Sequence, residues 1–174
     1  MKIDGKKIGS MLLFTVTLLN IGCGGRSVEL TREDIISVEK FDKYQALKDI
    51  SLEIESIKNS DLILFSPKSY KNALSEFKNL KELISSDDKR EMFKKIKLIK
   101  LYIKEGLKNQ ETSKDELKNI FSELDRLKEL EVNIHYAKEF ELLGDKTFDM
   151  VLDYEDSQNL DSFKKRSALL DDIL

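Results

Sequence analysis

The sequence has one cysteine, one proline, one histidine and no tryptophan in 174 residues. A single cysteine rules out any disulfide within the chain, and with it a small disulfide-stapled scaffold. His135 is the sole histidine. It has no partner cysteine, second histidine or H-E-x-x-H spacing with which to complete a zinc site or a catalytic triad. The G-x-S-x-G, P-loop and dinucleotide fingerprints are also missing, so neither a cofactor nor a small-molecule substrate is expected. The main apolar run, Ile8 to Leu19, is interrupted by Gly9, Ser10, Thr15 and Thr17. It is too short to cross a bilayer as a helix, which takes about 20 residues.

What is abundant is charge. Charged residues make up 36% and apolar residues 40%, with only seven glycines, the composition of a helix-rich body. Beyond residue 22 the chain carries 27 basic and 32 acidic side chains, an acidic balance that argues against nucleic-acid binding.

From Thr31 onward the apolar spacing is helical. Phe41, Tyr44, Leu47, Ile50, Ile54 and Ile57 recur at intervals of three and four and predict a first helix over 32–59, opened by Thr31 and Asp34 as a capping box. Asn59, Ser60 and Asp61 end it. Ser66 and Pro67 start a second helix, Ser66 as the cap and Pro67 in the first position, where its missing N–H costs nothing. This helix carries Tyr70, Ala73, Leu74, Phe77 and Leu80. Asp87 and Asp88 start a third over 87–108, whose broad apolar face makes it the central element. Ser113 and Glu116 cap a fourth that runs to Leu143, with Gly144 as its left-handed stop. Two more are expected near 146–156 and 160–173. Short connections make consecutive helices antiparallel neighbours. The expected fold is therefore all-α, an elongated antiparallel bundle or a stack of helical hairpins, with about five to six helices in one domain over 31–174. Phe41, Tyr44, Tyr70, Phe77, Phe121 and Phe140 fall on the apolar stripes and are expected in the core.

The amino terminus carries a second message. Lys2, Lys6 and Lys7 precede the Ile8–Leu19 run, the basic-then-apolar order of a secretory signal peptide. Leu19, Asn20, Ile21, Gly22 and Cys23 then resemble the lipobox of bacterial lipoproteins, and the Lys-, Ile-, Asn- and Phe-rich composition is similar to that of spirochaetal ones. The resemblance implies a signal peptide over 1–22 and acylation, of the palmitate type, on Cys23, which becomes the new amino terminus. Two or three acyl chains on one residue supply the stable anchoring that one chain does not. Residues 23–30 then form a tether whose last seven residues, Gly24 to Leu30, reach about 25 Å when stretched. So short a tether favours the periplasmic face over the cell surface.

Ser66, Pro67, Tyr70 and Ala73 are also similar to the "AP-x-x-Y-x-x-A" opening of helical hairpins in bacterial envelope lipoproteins. Residues 62–74 can be laid over 140–152, matching Leu64 with Leu142, Lys68 with Lys146 and Leu74 with Leu152. This would mark two copies of a tetratricopeptide-like hairpin; a plain bundle without repeats is the alternative.

Two charge stripes stand out. Lys97, Lys100, Lys104 and Lys108 share a face of the third helix, and Asp145, Asp149, Asp153 and Asp156 share one of the fifth. Like charges at this spacing repel, so each stripe gains from opposite charge: each other, anionic headgroups or an acidic partner for the lysines, or solvent alone. The acids lack the calcium-loop pattern. The expected function is a non-enzymatic helical interaction or scaffold module of the cell envelope, anchored in the membrane through Cys23 and meeting an envelope protein. A surface lipoprotein binding a host molecule is the alternative.

Overall fold

The computed structural model describes residues 26–86 and 88–171. Among these there is no strand, and the helices follow as α1 (Arg32–Glu39), α2 (Lys43–Lys58), α3 (Leu62–Phe65), α4 (Pro67–Glu82), α5 (Lys89–Glu116), α6 (Lys118–Glu129), α7 (Val132–His135), α8 (Ala137–Ser157) and α9 (Leu160–Asp171), with a 3-10 turn at Leu83–Ser85. The chain is all-α, as the periodicity predicts. The described helices outnumber the expected five to six because two long ones are divided and the short α3 precedes α4.

The first division falls inside the predicted 32–59 helix. Thr31 and Asp34 form the capping box of α1, but the Asp42 carboxylate accepts from the Tyr44 and Gln45 N–H groups and restarts the chain as α2. The second lies further on. α5 does not stop near 108 but runs for 28 residues to Glu116, about 42 Å. Ser113 therefore caps nothing. It is buried within α5, and its hydroxyl has no hydrogen-bond partner among the described residues. The expected 113–143 helix is split into α6, α7 and the start of α8, with Glu131 in the left-handed region at φ 59° where α7 begins. Gly144 is not a stop either and lies inside α8. That stop comes at Gln158, φ 51°, whose N–H donates to the Tyr154 carbonyl at 2.8 Å. The two segments proposed as a repeat also differ, since 62–74 holds the α3–α4 break whereas 140–152 is continuous helix.

Two apolar cores result. In the first, Ile50, Ile54 and Ile57 of α2, Leu62 of α3 and Ala73, Phe77 and Leu80 of α4 close over Met92, Ile96, Ile99 and Ile103 of α5. In the second, Leu117, Ile120 and Leu124 pack with Phe140, Met150, Val151 and Tyr154 of α8 and with Phe163 and Leu170 of α9. α5 is the central element expected of it, packing against α1, α2, α3, α4 and α6. Phe65 meets Phe121 edge-on at 5.2 Å between the cores. Phe77 and Phe140 are buried as expected, whereas Tyr44 is 68% exposed because it faces out from the first turn of α2.

Candidate functional site

Three places bring polar or apolar groups together in ways the cores do not require. The first is the outer face of α5. Its lysine stripe is not uniform. Lys97 donates to Asp34 of α1 at 2.6 Å and Lys100 meets Glu53 of α2 at 3.3 Å, so half of the stripe fastens α1 and α2 to α5. The hydrogen bond from Lys97, followed by that from the Thr31 N–H, holds the Asp34 carboxyl down at about 2. Lys104 and Lys108 are exposed and make no ion pair among the described residues. Glu105, beside them, takes both of its hydrogen bonds from Arg26, at 2.7 and 2.8 Å. The segment leading into α1 is thus laid against α5, with Val28 and Leu30 half-buried. Cys23, the predicted lipidation site, lies outside the described residues.

The second is the seam between the cores. Ser66 does not cap α4 with its own side chain. Instead Glu155, near the end of α8, reaches across. Its carboxylate accepts from the N–H groups of Lys68 at 2.8 Å and Ser69 at 3.1 Å, and from the hydroxyls of Ser69 and Ser66. An acid here also meets the positive end of the α4 dipole. Lys68 pairs with Asp156 in turn. Gly106 of α5 lets this corner close, since a Cβ there would sit 3.0 Å from the Ser69 Cβ. The aspartate stripe therefore does not face the lysine stripe. Asp153 pairs with Arg166 and Asp156 with Lys68, while Asp145 and Asp149 face solvent.

The third is the tip where α6, α7 and α8 join. Leu130, Ile134, Tyr136 and Leu142 are 59%, 65%, 61% and 55% exposed, and α7 buries nothing. Glu129, Glu131, Glu139 and Glu141 are exposed in the same stretch of chain, as is Lys138. His135 is exposed here and makes no side-chain hydrogen bond or ion pair among the described residues. Large apolar groups gathered on a surface and rimmed by charge are what a docking site presents.

Chemistry of other kinds has less to work with. A polar recess of about 390 Å³ is lined by Asn119, Ser122, Glu123 and Asp171. Its groups are largely engaged, Asn119 donating to Asp171 and Arg126 to Glu123, which lowers the Glu123 carboxyl below its ordinary range. Among the described residues no His, Cys, Asp or Glu cluster could hold a metal ion, and no helix is long and apolar enough to cross a membrane.

Sequence reasoning missed the Glu155 cap, the Arg26–Glu105 tie and the apolar tip. No local signal marks the first two, because their partners lie 86 to 89 and 79 residues apart. The fold defines an all-α stack of helical hairpins with a basic flank and an acidic, apolar tip. No protein-family model, curated protein or solved structure matches the chain.

Proposed function

We propose that this chain is a membrane-anchored bacterial lipoprotein whose helical body serves as a non-enzymatic protein-interaction or scaffold module on the periplasmic face of the cell envelope. The anchor rests on the lipobox-like Leu19 to Cys23 segment and its basic, apolar leader. The interaction role rests on one observation, the exposed Leu130, Ile134 and Tyr136 around the α6–α8 connection. Folding does not require three large apolar groups to be exposed so close together in the chain. The acidic rim selects against an anionic lipid surface and for a protein groove with basic edges.

Two linked measurements test this reading. Cross-linking in cells followed by affinity recovery should yield a defined envelope protein. A variant with Ile134→Ser and Tyr136→Ser, both exposed, should keep its helicity and lose that protein by at least about tenfold, as anchor residues of an interface do. Replacing Cys23 by Ala should abolish detergent-phase partitioning and leave the body folded. Undiminished recovery with the tip variant removes the docking role, and unchanged partitioning of Cys23→Ala removes the anchor. Protease treatment of intact cells separates the periplasmic placement from the surface-exposed one.

A further inference from the structure

We infer that the body is seated on the membrane by one face, the outer side of α5 at Lys104 and Lys108, with an anionic lipid surface as its occupant. The inference rests on the anchor proposed above and says which side of the protein that anchor presents.

Arg26 is tied to Glu105 of α5. Cys23 precedes Arg26 by three residues, and so few can span no more than about 11 Å. Acyl chains on Cys23 would therefore enter the bilayer close to the Glu105 turn of α5. Lys104 and Lys108 occupy that turn. They share one face, one helical step of four residues apart, and are the two members of the lysine stripe that no acid among the described residues engages. Leu107, 48% exposed, sits between them in sequence.

The distribution of charge over the whole chain agrees. Residues 23–116 carry 19 basic and 18 acidic side chains, whereas residues 117–174 carry 8 and 14. An anionic sheet would repel the second half and leave the first nearly neutral, so the tip with Leu130, Ile134 and Tyr136 would be turned away, toward a partner. Each lysine held near an anionic surface favours contact by about fivefold, and two by about thirtyfold. The acyl chains supply the affinity; the lysines set the orientation.

The test uses the natural, full-length product reconstituted into vesicles of phosphatidylcholine with phosphatidylglycerol, or of phosphatidylcholine alone. Flotation reads the anchor. Amine acetylation followed by mass spectrometry reads the face. On the anionic vesicles, labelling of Lys104 and Lys108 should slow by up to about thirtyfold relative to the zwitterionic ones. Lys138 and Lys146 of α8 should label equally on both. The protection should vanish in 1 M salt, where the Debye length is about 3 Å. Protein that floats with Lys104 and Lys108 equally reactive on both vesicles overturns the seating and leaves the anchor standing. Protein that fails to float overturns the anchor and the seating with it. Protection seen in cells but absent on anionic vesicles assigns the face to a protein and also overturns the inference.

Discussion

The two cores differ in how completely they are wrapped. In the first, α2, α3 and α4 enclose one side of α5, and the large apolar residues left outside, Ile35, Ile36, Tyr44, Leu52, Ile63 and Leu107, are spread over α1, α2, α3 and α5. In the second, α6, α8 and α9 enclose a smaller cluster, and of the six large apolar residues left outside, Leu130, Ile134, Tyr136 and Leu142 fall together around the α6–α8 connection, with Leu160 and Leu169 on α9. The second half also carries the net acidity of the chain. A region that buries its apolar groups stabilises the fold, and one that displays them forgoes that gain, of about 1.5–3 kcal/mol per large side chain. The difference therefore separates a supporting half from a presenting half. The two are held together by Phe65 against Phe121, Glu155 on the start of α4, Lys68 with Asp156, Gln158 with Asn109, and the Ser167 hydroxyl and Lys164 on Glu116.

The most direct way to break this arrangement is Glu155→Ala. Lys68 and Ser69 would lose the acceptor of their backbone N–H groups, and the first turn of α4 would be left uncapped in a partly buried place. Hydrogen bonds to a charged group contribute about 1.5–3 kcal/mol, and loss of a cap costs about 1 kcal/mol. The two describe the same groups and do not add, so a loss of about 2–3 kcal/mol is expected in denaturant unfolding. Amide exchange should accelerate at Lys68 and Ser69. Glu155→Gln keeps one carbonyl acceptor and should lose less. Unchanged exchange at both amides would mean that the halves are joined elsewhere.

A smaller effect sharpens the contrast by changing sign. Gly106 lies in the closed corner, where an added Cβ would meet the Ser69 Cβ at 3.0 Å and both Leu62 methyls at 3.3 Å. Ser69 sits on a packed helix and cannot retreat alone, so overpacking of about 1–3 kcal/mol outweighs the helix-propensity gain of about 1 kcal/mol. Gly106→Ala should lower stability by about 1 kcal/mol. Gly144, on the presenting half, has open space around it, and Gly144→Ala should raise stability by about 0.5–1 kcal/mol. Thermal midpoints moving the same way for both variants would contradict the difference in packing.

The glycines also show what the sequence makes legible. Periodicity locates the buried stripes of α2, α4 and α5 but not the break before α2 or the end of α5; the Thr31–Asp34 box and Pro67 mark helix starts because those signals are local, although Ser66 does not cap with its side chain. Gly144 is misleading, since nothing packs there and α8 simply bears the propensity cost and continues. Ser113 and Glu116 have the spacing of a capping box, yet α5 runs through to Glu116 and buries Ser113 inside it. The pairing of the charge stripes and the carboxylate that caps α4 depend on residues far apart in the chain. Core and display look alike in one dimension: Leu130 and Tyr136 have the same residue types as Leu124 and Tyr154, and only the fold decides which pair is covered.

The smallest expected effect concerns the edge of the supporting half, where α1 buries no residue and is fastened by Asp34 to Lys97. The Asp34 carboxyl titrates at about 2 in the fold against 3.8 for a free aspartate, so its folded pKa is lowered. Its contribution to holding α1 is thus complete above pH 3.8 and disappears as the pH falls toward 2. In an NMR titration the Asp34 side-chain carboxyl should show a midpoint near 2, and the α1 amides should shift with it while the α5 core amides stay in place. Lys97→Met removes the main cause and should raise that midpoint toward the ordinary value, with the Thr31 N–H still holding it somewhat low. The same substitution leaves the Arg26–Glu105 tie intact. α1 would loosen while the start of the described chain stays against α5, and a midpoint that ignored Lys97→Met would show that this edge is held by something other than the stripe.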